Sequence, residues 1–235
     1  LMIVQNNPDK KILYLVFNRK NRQEAKIKFP DNSVIHTIHS FALSALGINF
    51  DGFEPVRPSD YLKYFRTSRE TLATLVSEFI IFFLNSAYPK PDIAIDLFRK
   101  QLSDELRDIF TRHQDEIKEI SRSTLNSWYK TKKGCPHDFY LKLSHLENKF
   151  QNKLGKYDLV LVDEGQDLSP IMIDILSSFR GRIIIVGDSH QQIYSFRHAV
   201  DAMQNFTHDE SHELTLSFRF GAQIAALTSK FISAG

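Results

Sequence analysis

Apolar positions along the chain follow two different periods. "KILYLVF" (11–17) and "YDLVLV" (157–162) are short, nearly continuous apolar runs rich in branched residues, which predicts strands buried on both faces. "SVIHTIHS" (33–40) and "GRIIIVGD" (181–188) predict two more strands, and "HELTLSF" (212–218) a last one. "RKNRQEAKIKF" (19–29) between the first two strands predicts a helix, broken by Pro30-Asp31-Asn32. Strand, helix and strand with short connections imply a parallel α/β unit.

The period then changes. From Asp60 to about Phe150, almost everything reads as helix. Leu62, Phe65, Leu72, Leu75, Phe79, Phe82 and Phe83 recur near helical spacing until Pro89 and Pro91 interrupt them. "IAIDLFRKQLSDELRDIFTRHQDEIKEI" resumes the pattern with Ile93, Leu97, Leu102, Leu106, Phe110 and Ile117, and "KTKKGCPHD" (130–138) reads as a basic loop. In "DLSPIMIDILSSF", Ser169 is placed as N-cap and Pro170 at the first helical position. "AVDAMQNF" reads as a short helix. The simplest organisation is a helical block inserted between two α/β halves.

Composition adds bounds. The 235 residues are 42% hydrophobic and 25% charged with net charge +2, ordinary for a chain with a sizeable core and no global polyanion signal. Basic residues cluster locally at 10–28 and 121–133, which fits either a phosphate-holding patch or solvated helix faces. Cys135 is the only cysteine, so no intrachain disulfide can form and a reducing compartment is expected. The longest apolar run, "FIIFFL" (79–84), is far too short to cross a bilayer, and no membrane partner is expected.

Candidate chemistry gathers at two strand ends. In "YDLVLVDEGQD", an apolar strand delivers Asp163 and Glu164 to the carboxyl edge of a parallel sheet, where α/β folds bind ligands. One carboxylate there suits a Mg2+ held through water, and its neighbour can polarise a water for attack on phosphorus. A solvated acidic turn fits the same residues. "IIIVGDSHQQIYSFR" repeats the arrangement with Gly187-Asp188 and then Gln191, an amide able to touch a terminal phosphate without adding charge. Tyr194, Phe196 and Arg197 interleave aromatics with a cation, which suits base stacking and backbone contact, or for the two aromatics core packing. "HDESH" (208–212) spaces two histidines at i,i+4 with no evident third ligand, and reads as a loop.

"VDEGQD", "VGDSHQQIYSFR" and "LTLSFRF" together resemble three successive motifs of the UvrD/Rep/PcrA-type superfamily 1 DNA helicases. "LYLVFNRKNRQEAK" is similar to the segment that follows this family's nucleotide site, and "IHTIHSFA" (35–42) to its T-x-H-S-F motif. The five occur in family order over nearly the whole chain. "CPHDFYLKL" (135–143) resembles the F-box-containing DNA helicase branch, although no F-box occurs in these residues and a ubiquitin-ligase role is not implied.

The resemblance implies an α/β fold, the RecA-like parallel sheet of P-loop NTPases, with an inserted all-helical subdomain. It implies ATP and Mg2+ as cofactors and single-stranded DNA as partner, in a cytoplasmic, nucleoid-associated or nuclear protein. Asp163 would hold Mg2+, Glu164 would activate water, Gln191 would contact the terminal phosphate, and Arg219 would be the arginine finger. Phe17, Asn18, Thr37 and His39, with Tyr194, Phe196 and Arg197, would contact DNA. The implied division is a discontinuous first motor domain (1–42 and 154–210), a helical insertion (43–153) and the start of a second motor domain (211–235). A non-catalytic DNA-binding remnant, or a related ATPase acting on RNA or nucleoprotein, fits the same motifs.

Two departures stand out. His198 occupies a position where the family has glycine. No G-x-x-x-x-G-K-[ST] phosphate loop occurs within the 235 residues. The chain therefore reads as the interior of a helicase, a first motor domain that is incomplete. Alone it is expected to hydrolyse little or no ATP and to carry an unpaired apolar slot in its sheet.

Overall fold

The computed structural model of the chain describes residues 1–67, 69–191, 206–214, 221 and 223–224. In chain order the elements are α1 (Met2–Gln5), β1 (Ile12–Val16), α2 (Arg19–Lys28), β2 (Ser33–Thr37), α3 (Ile38–Leu46) and β3 (Asp51–Phe53). The helical stretch follows as α4 (Arg69–Asn85), α5 (Pro91–Gln101), α6 (Asp104–Arg112) and α7 (Gln114–Thr131). Then come β4 (Lys133–Cys135), α8 (His137–Leu146), α9 (Lys149–Leu154), β5 (Leu159–Val162), α10 (Pro170–Ser177) and β6 (Arg182–Ile185).

The main sheet has the order β2-β1-β5-β6, and every pair is parallel. Two strands thus come from before the helical stretch and two from after it. Alternation sorts the strand residues onto two faces. Leu13, Leu15, Val160 and Val162 join the large core shared with α3, α4, α8 and α10, whereas Ile12, Leu159 and Leu161 pack on the opposite face with Val4, Tyr14 and Phe29. All four residues of β5 are buried, as a central strand covered on both faces requires. β6 is the outer strand among the described residues, and Ile183, Ile184 and Ile185 are only part-buried.

The helical stretch is built around aromatic side chains. Phe79, Phe82 and Phe110 all pack on Phe98, with ring centroids 5.4–5.5 Å apart. Edge-on and tilted ring contacts of this kind add to the burial term. Lys142 sits among them, 2% exposed, donating to the carbonyls of Ser86 and Tyr88 at 2.7 and 2.6 Å with Phe83 beneath its ammonium. These bonds satisfy the buried amine, whose pKa burial lowers to about 7.

Three sequence expectations need correction. The strand read over 33–40 ends at Thr37, because Thr37 and Ser40 form a reciprocal capping box that starts α3 at Ile38. The stretch read as one resumed helix is three, separated at Leu102-Ser103 and His113, and Ile93 lies on its exposed side. Lys133–Cys135, read as loop, pairs in parallel with Asp51–Phe53 as a two-stranded sheet. Ser169 is the N-cap of α10 and Pro170 its first residue, as expected, although the Ser169 hydroxyl makes no capping bond. Of the strand expected over 212–218, residues 212–214 have no regular structure, and the rest, with the helix expected over 199–206 except Phe206, lies outside the described residues. No helix among the described residues is long and apolar enough to cross a membrane.

Candidate functional site

Because all four strands run the same way, their carboxyl ends share one edge. Register aligns Val16 with Thr37, Leu15 with Val162, and Val162 with Ile185. The residues just beyond the strands, at 17–18, 163–164 and 186–188, therefore line that edge beside Thr37. Asp163 leaves β5 with its amide still donating to Leu15 O at 3.0 Å. Its carboxylate Oδ2 accepts the Tyr14 hydroxyl at 3.0 Å, and Oδ1 accepts the Glu164 amide at 3.2 Å. Burial first, and then the Asp163 carboxylate, push the Tyr14 phenol well above its usual range, so it stays a donor.

Glu164 has φ 55° and ψ 49°, the left-handed region that costs a non-glycine residue roughly 1–3 kcal/mol. That conformation turns the chain sharply out of β5 into the 3-10 turn Gly165–Asp167. The Glu164 carboxylate accepts from Gln166 Nε2 at 2.8 Å. Gln166, 1% exposed, uses its other end to accept the Asp188 amide at 3.1 Å. It is a buried strut between the loops after β5 and β6. A second tie runs from the Gly165 amide to Val186 O at 2.9 Å. Gly187 permits this approach: a Cβ there would lie 2.6 Å from Gln166 Oε1 and 2.9 Å from Gly165 N.

Gln191 closes the short turn Ser189–Gln191 and donates from Nε2 to Asp188 Oδ2 at 2.7 Å. This bond, assisted by His190, holds the Asp188 carboxyl below the ordinary carboxylate range. Glu164, Gln166, Asp188 and Gln191 thus form one continuous polar chain across the β5–β6 edge, next to Asp163. Paired carboxylates at such an edge are hard oxygen donors of the type that takes a hydrated Mg2+.

The other half of the edge carries the residues expected to meet DNA. Phe17 is part-buried, and Asn18 is the exposed N-cap of α2, its side chain accepting the Asn21 amide at 2.9 Å. Thr37 caps α3 and His39 sits in its first turn, with the ring Nε2 2.8 Å from Asp138 Oδ1. The sheet order places these positions along β2-β1 and the acids and Gln191 along β5-β6. Arg219, Tyr194, Phe196 and Arg197 lie outside the described residues, as does His198.

Elsewhere, the basic 121–133 segment largely has partners within the protein. Arg122 pairs with Asp92, Lys133 approaches Asp51 at 3.5 Å, and Lys132 lies 3.9 Å above the Tyr129 ring. His212 approaches Glu210 at 3.4 Å, and no metal-type cluster of three ligands occurs among the described residues. Sequence reasoning missed Tyr14, Gln166 and Asp138 as members of the site. Their partners lie 149, 22 and 99 positions away, and only the fold brings them together.

A parallel sheet with a carboxylate pair and an amide along its carboxyl edge, and a helical stretch between its two halves, defines a RecA-like α/β lobe. The family model for the UvrD/REP helicase N-terminal domain matches residues 4–211, and the chain belongs to that family. It is similar to F-box DNA helicase protein 1 of Schizosaccharomyces pombe, at 30% identity over 267 residues, covering 99% of this chain and 29% of that protein. It is also similar to F-box DNA helicase 1 of Gallus gallus, at 31% identity over 237 residues, covering 92% of this chain and 23% of that protein. The chain therefore spans between a fifth and a third of the length of the curated relatives it matches.

Proposed function

We propose that this chain forms the first motor lobe of an ATP-dependent DNA helicase that moves on single-stranded DNA, with the nucleotide at the β5–β6 edge and DNA across the β2–β1 edge. In this reading residues 1–42 and 154–210 make the lobe, 43–153 the helical insertion, and 211–235 begin a second lobe. The observation that carries it is the convergence of Asp163, Glu164 and, through Gln166 and Asp188, Gln191 on one edge of one sheet.

Asp163 is the residue to hold Mg2+, with Tyr14 fixing one of its oxygens. When bound, the ion neutralises charge on the phosphate oxygens of ATP. Glu164, its carboxylate fixed by Gln166, accepts the proton of the attacking water at its second oxygen. Gln191 can exchange its bond to Asp188 for one to the terminal phosphate, which would let it report whether that phosphate is present. Arg219 is assigned to the charge that develops in phosphoryl transfer.

The test is Glu164→Gln in the full-length protein. Loss of a general base lowers a rate by on the order of a hundredfold to ten-thousandfold. DNA-stimulated ATP hydrolysis should fall by that order while affinity for single-stranded DNA is kept. Hydrolysis at the wild-type rate would remove Glu164 from this role.

A further inference from the structure

Three helix ends meet where the helical stretch touches the sheet edge. His39 lies in the first turn of α3, Asp138 in the first turn of α8, and Asn85 is the last residue of α4. His39 Nε2 is 2.8 Å from Asp138 Oδ1, with the two side chains only 23% and 16% exposed. An ionised carboxylate only accepts, so Nε2 carries the proton of this bond. Asn85, 2% exposed, donates to Ile81 O at 3.0 Å and directs the same Nδ2 to Asp138 Oδ2 at 3.4 Å. The Tyr140 ring stands edge-on to His39 at 6.1 Å, and the Tyr140 hydroxyl is 2.9 Å from His137 Nδ1. The imidazole is therefore fixed in plane and tautomer by the helical stretch, not by its own strand and helix.

We propose that Asp138 is a positioning residue for the grip on single-stranded DNA, orienting His39 through the Nε2 bond so that its other ring nitrogen is presented in one state. The inference rests on the reading of His39 as a DNA contact. Two ring nitrogens of a histidine have distinct roles, and the partner of one sets what the other can do. The helical block then does more than bury apolar surface: how it seats against α3 sets the geometry of a contact made by the motor edge.

The experiment is a double-mutant cycle on the full-length protein, with affinity for a fluorescent single-stranded oligothymidylate read by anisotropy. Asp138→Asn keeps the shape and removes the charge. Affinity should fall about fivefold in Asp138→Asn and in His39→Ala, and no further when the two are combined. Asp138→Glu, which restores a carboxylate, should recover most of the loss. Binding of a fluorescent ATP analogue should not change, and the melting temperature should fall by only about 2–4 °C, as one lost hydrogen bond requires. Nitrogen NMR of the imidazole should show Nε2 protonated in the wild type and a mixture of the two tautomers in Asp138→Asn, whose amide can accept from Nε2 or donate to it. Losses that add in the double variant, or wild-type DNA affinity in Asp138→Asn or in His39→Ala, would overturn the inference. A wild-type protein that binds no single-stranded DNA would instead overturn the helicase reading.

Discussion

Gly187→Ala probes the join between the loops that follow β5 and β6. The new Cβ would meet Gln166 Oε1 at 2.6 Å, Gly165 N at 2.9 Å and Gln166 N at 3.1 Å. Two of these atoms are backbone. The Gly165 amide cannot retreat without stretching its bond to Val186 O, and the Gln166 side chain is buried and bonded at both ends. The two loops must separate. Overpacking of this kind costs about 1–3 kcal/mol, and each hydrogen bond lost adds about 1 kcal/mol. A total of about 3 kcal/mol corresponds to a fall in melting temperature of about 6–12 °C for a chain of this size. The same displacement frees the Glu164 carboxylate from Gln166, so ATP hydrolysis by the full-length protein should fall further than stability alone explains. The assays are a thermal melt and steady-state hydrolysis below the melting range. A melting temperature equal to wild type would refute the packing argument, and normal hydrolysis in a destabilised protein would refute the link to Glu164.

Tyr14→Phe removes the hydroxyl that holds Asp163 while keeping the ring stacked on Phe29 at 4.8 Å. The Mg2+ concentration needed for binding a fluorescent ATP analogue should rise about tenfold, and an unchanged titration would show that Tyr14 does not orient the acid. His36 gives a pH prediction. Burial first, and then the charges of Arg22, Lys153 and Lys26, lower it from 6.5 to about 4. Between those values the unfolded chain binds a proton that the folded chain does not, so stability should be full above pH 6.5 and fall as pH drops toward 4. Denaturant titrations across that window should show a shallower acid loss in His36→Asn, and parallel losses in the two proteins would contradict the assignment.

The sequence made the strands legible where burial on both faces leaves no alternative, as in Leu159–Val162. It made the position of Asp163 and Glu164 legible because a strand of that kind delivers the residues after it to the carboxyl edge of a parallel sheet. It failed where two local signals compete. "SVIHTIHS" is rich in branched residues, as a strand is, through Ile38, but Thr37 and Ser40 cap each other and end the strand. The helices of 91–131 share one apolar stripe, and the breaks at Leu102-Ser103 and at His113 leave its rhythm almost unchanged. The supporting residues were illegible for a different reason. Nothing near Tyr14 indicates that its hydroxyl will meet Asp163, and nothing near Asp138 points to His39, because both pairings depend on chain segments far apart in sequence. Gly187 was visible as a strand-end glycine, but its need for close approach follows only from Gln166 lying beneath it.

The most direct measurement is a structure of the full-length protein with a non-hydrolysable ATP analogue, Mg2+ and a short single-stranded oligonucleotide. The account predicts the phosphates beside Asp163, Glu164 and Gln191, with the DNA backbone crossing Asn18, Thr37 and His39. A nucleotide bound on any other face of the sheet would contradict it.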